Sequence, residues 1–398
     1  MDAKKFFYME SQEGGCNLPQ KSYAEVASAF NYKLLSAIAA NDGGEKDNIF
    51  VSPCRLQALL VLLSNWAGGS VRNQIRQAIC CDDIDCRELN RMFADERFLI
   101  PNVNKKDLEE YLVPTIDLST MMLYQKELAV NKRTIADTKD FFDVHYRSVD
   151  FSVPSLSAEL SIEVEKASHG MIANLQIDVN EAVRALLLDV FYFKACWVNY
   201  FDEEQTQRSS FYHNDGVSEV DMMSVTDVMR YHENDVLQSV CLDYWAYMLT
   251  KRYSMWIHLP KKGHGIDEVL SLLADEDVYS KYEDAEVHLN LPRFEIEKRT
   301  NLTEVLRQMG MDELFSATDG IPNLIPGVSF ADVIQQGKIK VDEYGAESAV
   351  TTYCAFATSC CPDEEPEPVE MNVNRNFVFE IVETSSGSRL FSGVVNKL

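Results

Sequence analysis

Residues 184–197 read RALLLDVFYFKACW, a long and nearly continuous apolar run. Such a run is typical of a β-strand that is buried on both faces within a sheet. Asp189 and Lys194 interrupt the run, and it falls short of the roughly 20 apolar residues that a membrane-spanning helix needs. The sequence therefore predicts a central β-strand here.

Helical patterns dominate before this strand, and strand patterns dominate after it. Apolar residues at 26, 30, 34 and 38 predict a helix over Ser22–Ala40. Ile49–Val51 is strand-like, and we expect Ser52 to cap a following helix that begins at Pro53. Alternating apolar and polar residues predict one strand over His288–Glu297. Because helices come first and strands later, without strict β-α-β alternation, the pattern favours an α+β fold.

Charge and composition exclude several classes of protein. The chain has 398 residues, with 37 Lys and Arg against 63 Asp and Glu, a formal net charge of −26. We therefore expect no nucleic-acid partner, because phosphate binding needs clustered cations, and no anionic membrane partner. A hydrophobic content of 46% is ordinary for a globular chain. The apolar stretch after Lys5 is too short for the core of a signal peptide.

The sequence contains no convincing catalytic or metal-binding motif. Its ten cysteines lack the paired C-x-x-C spacing of a zinc site, so we expect no metal and no cofactor. The motifs G-x-S-x-G, H-E-x-x-H and the Walker glycine loop are missing. Cys196 or Cys360 with a histidine could imitate a cysteine protease, but the flanking signatures of those families are missing. The chain is therefore not expected to be an enzyme.

One segment differs from the rest. Residues 345–361 read GAESAVTTYCAFATSCC, which is small, β-prone and uncharged after Glu347, and PDEEPEPVE follows it. The acidic, proline-rich part cannot easily join a sheet. The simpler interpretation is an edge strand followed by a solvated turn. The alternative is an exposed loop that can become a strand.

Six motifs follow one another along the chain: NIFVSPCRLQALLVLL (48–63), LDVFYFKACWVNYF (188–201), VDMM (220–223), LNLPRF (289–294), VDEYG (341–345) and FSGVVN (391–396). By their order and spacing, the chain resembles the serpins. The match covers nearly the whole chain and predicts the serpin fold, in which helices surround a large central mixed sheet and smaller sheets, with an exposed reactive-centre loop.

The resemblance implies a suicide inhibitor of proteases rather than an enzyme. A target protease cuts the reactive-centre loop and forms an acyl-enzyme. The cut loop of the metastable inhibitor then inserts into the central sheet and traps the protease covalently. The family resemblance also implies one domain over residues 1–398, a monomer, and an extracellular setting, although no signal peptide is visible. Residues 345–371 then form the reactive-centre loop and its acidic spacer, which could steer a protease with a basic rim or simply be solvated.

A strand that inserts centrally must bury every second side chain, so those positions must carry no unpaired charge. Only Glu347 is ionic here, and it falls among the odd-numbered residues. We therefore predict that Ala346, Ser348, Val350, Thr352 and Cys354 face inward. This pattern favours an inhibitor; the alternative is a non-inhibitory serpin that acts as a binding or chaperone protein. The hinge assigned by the resemblance comprises Glu343, Gly345, Ala346, Glu347, Ser348, Ala349, Val350, Thr351 and Thr352.

The resemblance also implies a position for the cleaved bond. Counting to about the seventeenth residue from Glu343 reaches Ser359, with Cys360 on the leaving side; Thr358 and Cys361 enter if the count shifts by one. These residues are small and no Lys or Arg lies between Glu343 and Val373. A shallow, elastase-like or subtilisin-like primary pocket is therefore favoured over a trypsin-like one. The target would be a serine or, alternatively, a cysteine endopeptidase.

Further positions match the family's shutter and breach, which control opening of the central sheet. The shutter comprises Ser52, Arg55, Asp189 and Gln335, and the breach contains Trp197. Arg55 stands where the family usually has serine, Asp189 where it has asparagine, and Gln335 where it usually has histidine. Because a lone buried charge is costly, we expect Arg55 and Asp189 to pair.

Overall fold

The structure is a computed structural model. It describes residues 22–41, 47–94, 114–173, 182–246, 252–275, 281–328, 332–346 and 368–398. Helices occupy much of the first 170 residues and strands dominate the rest, which confirms the α+β prediction. The helices are α1 Tyr23–Asn41, α2 Pro53–Trp66, α3 Gly69–Ala78, α4 Cys86–Ala94, α5 Lys132–Phe142, α6 Leu156–Ala167, α7 Ile266–Asp275, α8 Thr303–Gln308 and α9 Asp312–Ser316.

The strands form two large sheets. The first eight are β1 Ile49–Val51, β2 Thr115–Gln125, β3 Val144–Val149, β4 Ala185–Cys196, β5 Gln207–His213, β6 Gly216–Glu233, β7 Leu237–Asp243 and β8 Tyr253–Pro260. The others are β9 Glu283–Pro292, β10 Phe294–Asn301, β11 Ile334–Asp342, β12 Gly345–Ala346, β13 Val369–Asn372, β14 Phe377–Glu383 and β15 Ser388–Val395.

β4, the strand of the apolar run at 184–197, lies in a sheet of six strands with the order β10-β11-β12-β4-β2-β3. β2 and β3 are parallel and the other neighbours are antiparallel, so the sheet is mixed. The nine-stranded sheet runs β1-β15-β14-β8-β7-β6-β9-β13, with β5 paired to β6. One apolar cluster draws buried residues from both sheets, among them Phe193, Ile339, Phe377 and Phe379, and this shared core holds the sheets together.

Three local predictions need correction. The His288–Glu297 segment is two strands, because the chain passes from the nine-stranded to the six-stranded sheet at Arg293. Ser52 lies at the N-cap of α2 but makes no side-chain cap; its hydroxyl donates instead to the Leu390 carbonyl at 2.7 Å. β4 is not buried on both faces throughout, since Ala185–Asp189 is partly exposed.

Candidate functional site

The two-residue strand β12 lies between β11 and β4 and pairs with both. Gly345 is opposite Asp342 and Cys196, and Ala346 is opposite Val341 and Ala195. Among the described strands, nothing else joins β4 to β11. The first residues of the predicted hinge therefore occupy a central position in the sheet.

Both residues of β12 must be small. A Cβ atom on Gly345 would lie 2.1 Å from the Ala195 carbonyl oxygen, so only glycine fits without a backbone shift. Ala346 is 2% exposed and belongs to the apolar cluster shared by the two sheets. A larger or charged side chain at residue 346 would have to displace this packing.

Glu343, the glutamate of the predicted hinge, is buried just before β12. Arg293 Nη2 lies 2.5 Å from Glu343 Oε1, and the Thr206 hydroxyl donates to the same oxygen at 2.7 Å. Burial raises the pKa of Glu343, but these two donors outweigh it and hold the pKa below its usual value. Glu343 is therefore an ionised anchor for the start of the hinge.

Trp197, the predicted breach residue, packs beside the same segment. Its indole Nε1 donates to the Asp342 carbonyl at 3.0 Å, and its ring stacks on Tyr244 with centroids 4.4 Å apart. Its backbone N–H donates to the Tyr344 carbonyl. Trp197 thus bonds to the main chain on both sides of Glu343.

A cleft continues beyond Ala346 between β4 and β11. Its walls include Asp189, Phe191 and Phe193 of β4 and Gln335, Gly337 and Ile339 of β11. Among the described residues, no strand fills it. Within the described part of the chain, this cleft therefore lies in line with β12 and between its two neighbouring strands.

The predicted shutter residues surround the far part of this cleft. Gln335 accepts from the Ser52 backbone N–H at 2.8 Å and donates to the Ser52 carbonyl at 3.2 Å. These reciprocal bonds tie β11 to the start of α2. Ser52 is tied in turn to β15 through its bond to Leu390.

The pairing expected between Arg55 and Asp189 is confirmed. Arg55 donates from Nη2 to Asp189 Oδ1 at 2.7 Å and from Nε to Oδ2 at 3.1 Å, and their side chains are 12% and 9% exposed. Thr120 bridges the pair: it accepts from Arg55 at 3.0 Å and donates to Asp189 at 2.7 Å. Burial lowers the pKa of Arg55, but the Asp189 carboxylate more than offsets this and raises it.

The remaining predicted site residues lie outside the described residues. These are Glu347, Ser348, Ala349, Val350, Thr351 and Thr352 of the hinge, and Thr358, Ser359, Cys360 and Cys361 at the cleaved bond. Sequence reasoning missed three partners that the structure brings to the site: Arg293, Thr206 and Thr120. Arg293 lay within the quoted LNLPRF motif, but the other two carried no signal.

The part of the chain that the structure describes has neither a membrane-spanning helix nor a candidate metal centre. None of the helices there is long and apolar enough to cross a membrane. In the same ranges, no group of three or more His, Cys, Asp or Glu side chains is arranged to hold a metal ion.

Comparisons with known proteins agree on one family. A family model described as Serpin (serine protease inhibitor) matches residues 25–398. Antichymotrypsin-2 of Bombyx mori is 26% identical over 375 residues, 92% of this chain and 95% of its own. Corticosteroid-binding globulin of Ovis aries is 25% identical over 390 residues, 95% of this chain and 85% of its own. The native-state crystal structure of the thermophilic serpin Tengpin aligns with a TM-score of 0.82 at 19% identity, covering 98% of each chain.

Proposed function

Because this chain belongs to the serpin family, we propose that it is an inhibitor that traps endopeptidases with small-residue primary specificity by loop cleavage and strand insertion. One observation carries the proposal: β12 pairs on both sides at the head of a cleft that no described strand fills. The hinge thus begins where an inserted strand would begin. We further propose that residues 1–398 form one domain with its reactive-centre loop and spacer at 345–371.

The register of β12 defines what an inserted strand would meet. If the pairing continues, Ser348 lies between Phe193 and Ile339, and Val350 lies between Phe191 and Gly337. A Cβ atom on Gly337 would lie 2.8 Å from the Phe50 ring, so this part of the inward face is tightly packed. Small, uncharged side chains are therefore required at these positions, and the sequence supplies them.

The same register gives the one ionic residue of the stretch a favourable position. Glu347 would lie between Lys194 of β4 and Lys340 of β11, on the face opposite to Ala346. Both lysines are partly exposed. A carboxylate between two partly exposed lysines would remain in contact with water. Its charge would not be buried, so Glu347 would not oppose insertion.

Insertion would also bring polar groups together at the shutter. Thr352 would lie between Asp189 and Gln335, at the level where Arg55 holds Asp189. Its hydroxyl can both donate and accept, so it suits the carboxylate and the amide there. Each backbone hydrogen bond between the inserted strand and its neighbours would contribute about 0.5–1.5 kcal/mol. The sum of these contributions along the strand would drive insertion.

The test is whether the protein forms a covalent complex with a protease. We would incubate the protein with pancreatic elastase, subtilisin and papain and separate the products on denaturing gels. We expect a band larger than either partner with elastase or subtilisin. Sequencing of the released fragment should give Cys360 as its first residue if Ser359 is the acyl donor. Cleavage without complex across the whole panel would contradict the proposal.

A non-inhibitory binding role is the second candidate. The observation that favours it is the Arg55–Asp189 pair, which ties a strand bordering the cleft to α2 and opposes opening of the sheet. The similarity to a corticosteroid-binding globulin is compatible with such a role. Under this alternative, the gels would show only cleaved protein, and cleavage would not raise the thermal unfolding midpoint.

A further inference from the structure

An exposed and acidic surface lies on the nine-stranded sheet. The register of β6 and β9 sets Val228 opposite Glu286 and Arg230 opposite Asp284. Asp243, at the end of β7, lines the same cleft as Val228 and Asp284. Trp245 follows two residues later. We call Val228, Asp243, Trp245, Asp284 and Glu286 the acidic face.

The acidic face combines apolar surface with carboxylates that have few cationic partners. Val228 is 62% exposed and Trp245 is 36% exposed. Arg230 pairs with Asp243 at 2.5 Å. Among the described residues, no Lys, Arg or His forms an ion pair with Asp284 or Glu286. The face therefore keeps a net negative charge around an exposed apolar centre.

Its position relates it to the proposed reactive-centre loop. The chain returns from that loop to the sheet at β13, whose first residue, Val369, lies opposite Val287 of β9. Glu286 immediately precedes Val287 in β9. A protease held on the loop would thus be near the acidic face.

We infer that the acidic face is a second docking surface for the target protease and fits a basic rim in which Lys or Arg side chains flank an apolar residue. Asp284 and Glu286 would pair with the cations, and Val228 would contact the apolar residue. The exposed Trp245 ring offers a face on which a guanidinium can stack. The inference rests on the proposed function, because it is the loop that brings the protease to this surface.

The test removes the two carboxylates that lack described partners. Asp284→Asn with Glu286→Gln is compared with Asp82→Asn with Glu165→Gln, which makes the same charge change at exposed sites on the α3–α4 connection and on α6. The probes are two elastase-type proteases, one basic and one acidic. With the basic protease we expect the first variant to form complex about threefold to tenfold more slowly at low salt, because rim charges mainly govern association. High salt should abolish that difference. Equal rates for the two variants would overturn the inference.

A second measurement separates this inference from the proposed function. The basic protease, blocked at its active site and labelled with a fluorophore, is titrated with each protein and followed by anisotropy. No loop cleavage is needed for this binding. We expect weaker binding for the Asp284–Glu286 variant and for Val228→Lys, which introduces a cation at the centre of the face. If the wild type yields no covalent complex but these differences persist, the proposed function fails and the docking surface stands. If all the proteins bind alike, the docking surface is excluded.

Discussion

Arg55 and Asp189 form a two-point ion pair, at 2.7 and 3.1 Å, that joins α2 to β4 beside the cleft between β4 and β11. Thr120 of β2 completes the arrangement by bonding to both. Each oxygen of the Asp189 carboxylate therefore accepts a hydrogen bond. The positive charge of the Arg55 guanidinium is neutralised by that carboxylate. The pair anchors one wall of the position that an inserted strand would fill.

Removing one partner of this pair should cost more than removing both. Arg55→Ser leaves Asp189 poorly compensated, so we expect a loss of about 2–4 kcal/mol in the free energy of unfolding. Arg55→Ser with Asp189→Asn should lose clearly less. Urea unfolding of the two single variants, the double variant and the wild type measures the coupling directly. Additive losses would show that the two residues do not depend on each other.

A charge at the buried end of β12 should convert an inhibitor into a substrate. Ala346→Arg must either expel β12 from the sheet or bury a guanidinium, and both slow insertion. We expect the stoichiometry of inhibition to rise at least about threefold, with more cleaved protein and less complex. Val217→Arg adds the same charge at a site that is 56% exposed and serves as the control. Unchanged stoichiometry for Ala346→Arg would contradict insertion at this point.

Acid should weaken the anchor at Glu343. Its pKa in the folded protein lies below the unfolded value, so its ionised form stabilises the fold. This contribution is present above the unfolded pKa of about 4.3 and is lost as the pH falls through the folded pKa. Glu343→Gln should therefore lower stability by about 1–2 kcal/mol at pH 7, a modest loss because Arg293 is 40% exposed.

Thermal unfolding of wild type and Glu343→Gln at pH 7, 5 and 3 checks this expectation. The difference between the two proteins should be largest at pH 7 and should shrink as the pH falls and the wild-type carboxyl group takes up a proton. Glu165→Gln, on the exposed side of α6, should match the wild type throughout. A difference for Glu343→Gln that does not change with pH would point to lost packing instead of lost charge.

The sequence allowed some of these relationships to be predicted, for physical reasons. Arg55 and Asp189 both lie in recognisable motifs, and opposite charges at two expected buried positions imply a pair. The hinge stays a prediction from the family resemblance, supported by the small, uncharged residues that burial of alternate side chains requires; of its members, only Glu343, Gly345 and Ala346 lie among the described residues. The Glu343–Arg293 contact could not be predicted, because it depends on the change of sheet at Arg293, where the pattern suggested one continuous strand.

The local sequence pattern also predicts the wrong hydrogen bond for the Ser52 side chain. A serine before a proline at a helix start usually caps that helix. Here the Ser52 hydroxyl instead donates its hydrogen bond to the Leu390 carbonyl of β15. Contacts between residues hundreds of positions apart cannot be predicted from the local spacing of residues. The arrangement of this site depends on such contacts.

Another buried charge, Glu380, shows the same limitation and gives the final prediction. Glu380 lies within the apolar strand β14 and is fully buried. Asn31 donates to Oε1 at 2.5 Å and Tyr32 donates to Oε2 at 3.1 Å, while Arg389 Nε is 4.0 Å from Oε1. The carboxylate thus links α1 to two adjacent strands.

Glu380→Leu should destabilise the protein strongly, by about 3–5 kcal/mol, because Asn31 and Tyr32 lose their acceptor and the buried Arg389 loses a nearby negative charge. Glu380→Gln keeps an acceptor for Asn31 and Tyr32 and should lose less. Combining Glu380→Leu with Arg389→Leu removes both charges and should recover part of the loss. Urea unfolding of the three variants measures these differences. If the double variant is no more stable than Glu380→Leu, then lost hydrogen bonds to α1, not the charge on Arg389, dominate the cost.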